Sequence, residues 1–309
     1  MAVVFHHDGK HLLGGGRDGI RRWRLADGKE VGKQTGMELR AIAASRDHKW
    51  VVCGTDEGAS VWDANMHERI IEVERTETVS AVDVCPDSAR FATGTGWGGY
   101  EASVWSITSG ERLVGLLEHD NDVTGIKFSP GGDHIATACF DSSIRIFNAR
   151  NGDLLINIET VSPPTWPNIP LAWSSDTQQI FATSKDRRIR SFAVSTGSQI
   201  AESPILDCDQ TSIAPAPNGK FIATYAGPSI SFLDGSTLSP IVPAIEDSKG
   251  IYSIAISPDS SQLAIGQVDG RVTVRNLGTI LPDSYGPFHA SIRPLSGKPH
   301  SVFPVDILH

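Results

Sequence analysis

Several features that mark secreted, membrane-spanning or catalytic proteins are scarce or missing in this sequence of 309 residues. Its four cysteines include no C-x-x-C pair, which disfavours a disulfide framework and a cysteine-rich zinc site. No apolar run approaches the roughly 18 residues of a membrane span, and the first ten residues lack the segments of a signal peptide. We therefore expect a protein that does not bind membranes and is located in the cytoplasm, with the nucleus as the alternative compartment.

The motifs of common nucleophile, phosphate and zinc sites are also missing. The sequence contains no G-x-S-x-G, G-x-x-x-x-G-K-[ST] or H-E-x-x-H segment. No helical pattern follows the glycines at 14–16, so crowding between strands explains them better than phosphate binding. The densest group of metal-capable side chains is His6, His7, Asp8 and His11, but a tight turn near the chain's start offers a metal little bracing. We predict no catalytic site, no metal and no cofactor.

A repeat runs through the whole chain. Each copy has apolar runs of strand composition separated by short polar turns, and no segment carries a sustained helical period. The copies align near the end of their third run, at Trp23, Trp62, Trp105, Phe147, Phe192, Leu233 and Arg275. Successive intervals are 39, 43, 42, 45, 41 and 42 residues, which is the period of a four-stranded propeller blade. The first turn repeats independently, at Asp8, Asp47, Asp87, Gly131, Asp176, Asn218 and Asp259.

These two registers predict an all-β fold, a seven-bladed β-propeller with four-stranded antiparallel blades, within residues 1–288. The expected blades span residues 2–34, 37–73, 78–117, 122–160, 167–204, 209–244 and 250–288. The segment Ile280–Phe288 is apolar enough to be the outer strand of blade 7. Because the chain starts at a predicted innermost strand, Ala2–Phe5, we expect the ring to close by packing between whole blades. We expect residues 289–309 to form an irregular tail or the start of an incomplete eighth repeat.

The Trp62-Asp63 pair, the S-P-D and S-P-G turns, the Asp-Gly turns at Asp18 and Asp269, and the segment from Glu118 to Pro130 resemble WD40 repeats. The resemblance covers about residues 2–288 and extends to the divergent WD40 arrays of filamentous fungi. It implies a hydrogen-bond chain in each blade among a turn Asp, a loop His, a strand Ser or Thr, and the Trp. The implied structural positions are Trp23, Trp62, Trp105, Phe147, Phe192, His119, Thr137, Asp18, Asp56, Asp141, Asp186 and Asp269.

Blade 4 matches this chain best, with His119, Thr137 and Asp141, but Phe147 lacks the N–H donor of a Trp. No blade keeps all four residue types. We therefore expect apolar packing to stabilise the blades more than the hydrogen-bond chain does.

Charge disfavours one class of partner. The formal net charge is −9, whereas a nucleic-acid-binding protein needs Lys and Arg to neutralise phosphates. Two basic clusters occur in blades 1 and 5: Arg17, Arg21, Arg22 and Arg24, and Lys185, Arg187, Arg188 and Arg190. Strands on the outside of a blade carry such charges as a solvated rim, which we favour over an anion site.

Aromatic residues in turns are the strongest functional candidates. Blade 3 has an enlarged turn with Trp97 and Tyr100, Phe140 precedes a turn in blade 4, and Trp166 lies in the Pro-rich connection to blade 5. In a propeller, second-to-third-strand turns and blade-to-blade connections open on one face, so we expect these rings to gather there. Lys185 and Arg187 complete the predicted partner-binding set. Local packing of the rings is the alternative interpretation.

The sequence thus predicts a non-catalytic interaction scaffold, monomeric on its own, whose partners are proteins or peptides. Two alternatives stay open. One is an enzyme with a site in the central channel, and the other is a module that binds a peptide, a modified side chain or a sugar through the aromatic residues of blades 3–5. Fold alone does not choose among them.

Overall fold

The computed structural model describes residues 2–17, 19–34, 36–65, 68–74, 77–160, 171–184, 186–206, 211–247, 249–286 and 300–303. Within these residues, 28 strands form seven antiparallel sheets, and each sheet takes four strands in the order of the chain. The sheets are the blades of a ring. The all-β, seven-bladed propeller expected from the repeat is therefore confirmed.

The strands of the first four blades follow in chain order. Blade 1 holds β1 Ala2–Phe5, β2 His11–Gly16, β3 Gly19–Arg24 and β4 Glu30–Gln34, and blade 2 holds β5 Leu39–Ala44, β6 Trp50–Thr55, β7 Gly58–Asp63 and β8 Arg69–Glu74. Blade 3 holds β9 Val79–Val84, β10 Arg90–Thr95, β11 Glu101–Ser106 and β12 Arg112–Glu118. Blade 4 holds β13 Val123–Phe128, β14 His134–Cys139, β15 Ser143–Asn148 and β16 Leu154–Glu159.

The last three blades have shorter strands at their edges. Blade 5 holds β17 Leu171–Trp173, β18 Gln179–Ser184, β19 Arg188–Ala193 and β20 Gln199–Glu202, blade 6 holds β21 Thr211–Pro215, β22 Phe221–Ala226, β23 Ser229–Asp234 and β24 Ile245–Glu246, and blade 7 holds β25 Ile251–Ile256, β26 Gln262–Gln267, β27 Val272–Asn276 and β28 His300–Phe303. Two 3₁₀ turns, Leu277–Thr279 and Asp283–Tyr285, lie between β27 and β28.

The turn between the first and second strands has the same backbone hydrogen bond in all seven blades. In blade 7, the Ser257 hydroxyl donates to the Asp259 carboxylate (2.6 Å), which also accepts the N–H of Ser261 (3.0 Å). Asp in this position bonds its own backbone and holds the next residue in a left-handed conformation. That residue has a positive φ in all seven blades: Gly9, His48, Ser88, Gly132, Thr177, Gly219 and Ser260.

The apolar core lies between neighbouring blades. The second strand of a blade is covered on both faces, and all six residues of β22 are buried. Between blades 2 and 3, Val52 and Val61 pack in one cluster with Phe91 and Trp105. The core is thus a ring of apolar layers between the blades.

The ring closes between whole blades within the described residues. No strand among the described residues is shared between the sheets of blades 1 and 7. Instead, Val3, Phe5 and Trp23 pack against Val272 and its neighbours in blade 7. The Val3 N–H also donates to the Ser253 hydroxyl (3.2 Å), which ties the two innermost strands at the seam.

The prediction of an outer strand over Ile280–Phe288 is wrong. The Asn276 side chain accepts the Gly278 N–H (2.8 Å) and starts a 3₁₀ turn, and Leu277 and Leu281 then bury against the core between blades 6 and 7. The hydroxyl of Tyr285 donates to Asp234 of blade 6 (3.2 Å). The segment therefore packs as a strap against blade 6, and its apolar side chains are buried in that packing.

The outer strand of blade 7 is β28, which pairs antiparallel with β27 from Val272↔Phe303 to Arg275↔His300. The expectation of a wholly irregular tail over 289–309 is therefore wrong at 300–303. The remaining residues of that tail lie outside the described part of the chain. A strand there satisfies backbone groups that β27 would otherwise expose at a sheet edge.

Candidate interaction face

The two faces of the ring differ in construction. We call the face formed by second-to-third-strand turns and blade-to-blade connections the top face, and the opposite one the bottom face. The central channel between them holds a cavity of about 580 Å³, lined by residues from the first strand of every blade. The charged residues among its described lining are Arg40 and Lys127, and each is ion-paired, with Asp56 (2.7 Å) and Asp83 (2.9 Å) respectively. Small, apolar and hydroxyl side chains make up the rest of the channel wall.

Within the described residues, four blades carry a β-bulge at the same place, where the first strand leaves the top face. The register shifts around the second residue of that strand in blades 2, 3, 4 and 7. The bulged residues are Arg40, Ser80, Thr124 and Tyr252, and all four line the cavity. A bulge releases a side chain from the alternation of the pleat and re-aims it. The mouth of the channel is therefore ringed by side chains that vary from blade to blade.

The enlarged turn of blade 3 exposes two aromatic rings, and one of them, Trp97, lines the cavity. Trp97 is 55% exposed and Tyr100 is 43% exposed. Their φ angles are +53° and +48°, a left-handed conformation that bulky side chains rarely adopt and that costs about 1 kcal/mol or more for each residue. Strained residues of this kind cluster at ligand and partner sites. The turn therefore exposes both rings at an energetic cost.

Hydrogen bonds from neighbouring segments hold this turn. The Gly96 N–H donates to the carbonyl oxygen of Thr78 (3.0 Å). The Gly98 N–H donates to the carboxylate of Asp122 in blade 4 (3.2 Å). Because the Asp122 carbonyl also accepts the N–H of Phe140 (3.0 Å), one residue links the blade 3 turn to the blade 4 turn.

Arg40 of blade 2 contacts the ring of Trp97. Its guanidinium carbon lies 5.1 Å from the ring centroid, within cation–π range. The same guanidinium donates twice to Asp56, through Nε (2.8 Å) and an Nη atom (2.7 Å). This hydrogen bond is the main cause that raises the pKa of Arg40 and lowers that of Asp56. Arg40, Asp56 and Trp97 thus form one unit across two blades.

The predicted partner-binding residues fall into three groups. Trp97 and Tyr100 share one turn, and Phe140, which is half-buried, lies in the adjoining turn of blade 4. Arg187 is exposed in a blade 5 turn with a φ of +63°. Trp166 and Lys185 lie outside the described residues.

The sequence interpretation missed Arg40 and Tyr252. Both are large side chains at the second position of a first strand, where blades 3 and 4 carry the small residues Ser80 and Thr124. That difference in size is the feature of the sequence that could have indicated them.

The implied hydrogen-bond chain is partial. The indole N–H of Trp105 donates to the Thr93 hydroxyl (2.9 Å), and that of Trp62 donates to Ser60 (2.9 Å). In blade 4, His119 contacts Thr137 (2.8 Å), while Phe147 offers only an edge-on ring at 5.8 Å.

The aromatic repeat positions Trp23, Trp62, Trp105, Phe147 and Phe192 are all buried. Three turn aspartates have partners a few residues away in the same blade. Asp141 pairs with Arg145, Asp186 pairs with Arg190, and Asp269 accepts the N–H of Arg271. Asp18 lies outside the described residues.

The expectation of solvated basic rims is wrong at two positions. Arg22 is 9% exposed and donates to the Ala64 carbonyl (3.0 Å) and to Asn65 (2.7 Å), both in blade 2. Arg190 is 7% exposed and pairs with Asp186 and Glu202. Both guanidinium groups are held by acceptors inside the protein, which alternation along a strand does not reveal.

The cluster His6, Asp8 and His11 brings three possible ligand atoms within 4.8 Å of one another. His6 occupies the position of the turn Ser described above, and its Nδ1 lies 3.1 Å from Asp8. His11 lies 2.6 Å from the same carboxylate, and the Arg22 guanidinium lies 4.0 Å from it. The cluster therefore has the construction of the other turns, with a cation already beside its carboxylate.

Comparisons with known proteins agree with this architecture. The family model described as WD domain, G-beta repeat matches residues 110–148 and 243–276. The β-propeller domain of Cps50 (Swd1) from Myceliophteria thermophila superimposes with a TM-score of 0.76 at 18% identity, covering 89% of this chain and 96% of that domain. No helix within the described residues is long and apolar enough to cross a membrane.

Three curated relatives align with part of the chain. The nuclear distribution protein nudF of Emericella nidulans is 26% identical over 47% of this chain and 38% of its own length. The small ribosomal subunit protein RACK1 of Caenorhabditis elegans is 29% identical over 51% and 50%, and the serine-threonine kinase receptor-associated protein of Gallus gallus is 25% identical over 59% and 50%. The alignments span half or less of these relatives.

Proposed function

This chain belongs to the WD40-repeat family and folds as a seven-bladed propeller, and from that premise we propose that it is a non-catalytic scaffold whose top face binds partner proteins or peptides. The proposed contact region is the channel mouth with the adjoining turns of blades 2–4, including Trp97, Tyr100 and Phe140. A monomeric protein of the cytoplasm is part of the same proposal. The relative from Gallus gallus carries a name that denotes association with a receptor kinase, which supports a role in protein binding.

The exposed, strained turn of blade 3 is the observation that carries the proposal. A turn without a binding role could be short and polar, as the two-residue turn of blade 2 is with Asp56 and Glu57. Here Trp97 and Tyr100 are both exposed, Trp97 lines the channel cavity, and exposed aromatic residues are characteristic of binding hot spots.

The wall of the channel supports a binding role over catalysis. An acid–base or metal mechanism needs carboxylates or imidazoles that converge on one point. The described residues that line the cavity include neither, and its two cations, Arg40 and Lys127, are engaged by aspartates. The second alternative, a module for a modified side chain or a sugar, would use the same mouth and would differ in the ligand recovered.

The test compares the proteins captured by the wild type and by Trp97→Gly from a native extract of the cells that express the protein. Glycine accepts a φ of +53° freely, which gains about 1 kcal/mol. The lost contact with Arg40 costs about 0.5–1 kcal/mol at an exposed site. The variant should therefore keep a stability close to that of the wild type and lose its partners.

Leu154→Ala is the matched control, since Leu154 is 53% exposed on the outer strand of blade 4. Quantitative mass spectrometry should show the same proteins with the control as with the wild type. Equal capture by wild type and Trp97→Gly would show that the channel mouth is not the contact region.

A further inference from the structure

Negative charge is concentrated around the exposed rings. The top-face segments of blades 2–4 are residues 36–40, 55–58, 77–80, 95–101, 118–124 and 139–145, together with Glu74 at the end of β8, and we call them the acidic sector. Its carboxylates are Glu38, Asp56, Glu57, Glu74, Glu77, Glu101, Glu118, Asp120, Asp122 and Asp141. Its described cations are Arg40 and Arg145.

With ten carboxylates and two arginines, the sector's formal charge is −8. The whole chain has −9. The rest of the protein is therefore close to neutral, and the field of the molecule points to this face.

Both described cations of the sector already have acidic partners. Arg40 pairs with Asp56 and lies 3.8 Å from Glu38. Arg145 pairs with Asp141 (2.8 Å) and with Asp120 (2.9 Å), and the Asp120 side chain is still 84% exposed. Arg17 of blade 1 also lies 3.6 Å from Glu38. Since the sector has ten carboxylates and two arginines, its net charge stays negative after these pairings.

The rings of Trp97 and Tyr100 stand within this sector. An aromatic face attracts a guanidinium or ammonium group, and Arg40 shows that the Trp97 ring accepts a guanidinium at 5.1 Å. Carboxylates around an exposed ring add a long-range attraction for the same groups and repel phosphates and anionic membranes.

We propose that the partner of the top face is a protein segment rich in Arg and Lys, whose side chains contact Trp97 and Tyr100 while the surrounding carboxylates attract its charge. This inference rests on the proposed scaffold function and adds the chemistry of the partner. It also orients the partner, since the segment lies across blades 2–4.

The probe is a short fluorescent peptide of Gly and Ser that carries four arginines, with a Gln version and a Glu version as controls. Fluorescence anisotropy with the full chain measures each affinity. We expect the Arg peptide to bind about tenfold more tightly than the Gln peptide, and the Glu peptide not to bind. Raising the salt concentration should weaken the binding of the Arg peptide, because exposed charges are screened.

Two variants test the assignment to the acidic sector. Trp97→Gly should lower the affinity for the Arg peptide by about fivefold or more. Glu57→Gln combined with Glu118→Gln removes two exposed carboxylates and should weaken binding several-fold and reduce its salt dependence. Glu111→Gln combined with Asp153→Asn removes the same charge from exposed bottom-face turns of blades 3 and 4 and should change nothing.

The outcomes separate this inference from the proposed function. Equal weakening by the top-face and bottom-face pairs would mean a nonspecific attraction to an acidic protein and would overturn the inference. Stronger binding of the Gln or Glu peptide would overturn it as well. If either occurs while Trp97→Gly still loses its captured proteins, the scaffold function stands and only the chemistry of the partner is wrong.

Discussion

Acidification should destabilise this propeller through one buried histidine of blade 4. His119 is 8% exposed, and its Nδ1 lies 2.7 Å from the carbonyl oxygen of Leu117. A carbonyl only accepts, so Nδ1 carries the proton, and Nε2 of the neutral ring accepts from the Thr137 hydroxyl (2.8 Å). Protonation would place a second hydrogen against that hydroxyl and a charge in a buried site.

The structure sets the size of this effect. Burial, followed by the nearby Arg145 guanidinium, lowers the pKa of His119 from 6.5 to about 4. A histidine whose folded-state pKa is depressed binds its proton more readily in the unfolded chain, so stability is lost as the pH falls below 6.5 and the loss levels off near 4. Between pH 7.5 and pH 4.5 the linkage amounts to about 2.5 kcal/mol.

The measurement is urea unfolding of the wild type and of His119→Gln at both pH values. Other groups titrate in this range, so the decisive quantity is the difference between the two proteins. The glutamine variant is expected to be less stable at pH 7.5, and its disadvantage should shrink by about 2 kcal/mol or more at pH 4.5. A constant difference, or an NMR titration midpoint above 6 for the His119 ring, would refute the argument.

Three further perturbations test the packing between blades. Arg22→Ala removes buried hydrogen bonds to Ala64 and Asn65 and should lower the free energy of unfolding in urea by about 3 kcal/mol. Arg24→Ala removes an exposed ion pair and should lower it by less than about 1 kcal/mol. Equal losses would show that the buried hydrogen bonds do not stabilise the contact between blades 1 and 2. Gly54→Ala places a Cβ 2.5 Å from the Val79 carbonyl oxygen and should destabilise by about 1–3 kcal/mol, while Gly131→Ala meets nothing closer than 3.7 Å and should be neutral. Deleting residues 300–309 removes β28 and should lower the Tm in calorimetry by several degrees, and an unchanged Tm would show that blade 7 does not need this strand.

The first turn shows what could be predicted about the fold. An Asp that bonds its own backbone, followed by a residue able to take a positive φ, makes the same turn wherever it occurs, because all the interactions are local. Five copies with Asp, one with Asn and one with Gly at even spacing therefore predict seven blades. The outer strand of blade 7 could not be predicted in the same way. Apolar residues at 277, 280 and 281 suit a strand or a strap equally, and β28 lies far along the chain from its partner β27.

The candidate site also has one part that could be predicted from the sequence and one part that could not. The enlarged turn of blade 3 and its two aromatic residues are visible in the sequence, since no other copy has such an insertion. The contact of Arg40 with Trp97 joins residues of two blades through a bulge, and the burial of Arg22 depends on acceptors in the next blade. Neither follows from the spacing of residues within one repeat.

By itself, the sequence determined the repeat, the number of blades and the turn that carries Trp97 and Tyr100, because each depends on interactions within a few residues of chain. Only the tertiary structure decided how the ring closes, which segment completes blade 7, and which charges are buried or exposed. Those features arise where separate blades meet, and the acceptors, cations and apolar surfaces that meet there are far apart in the chain.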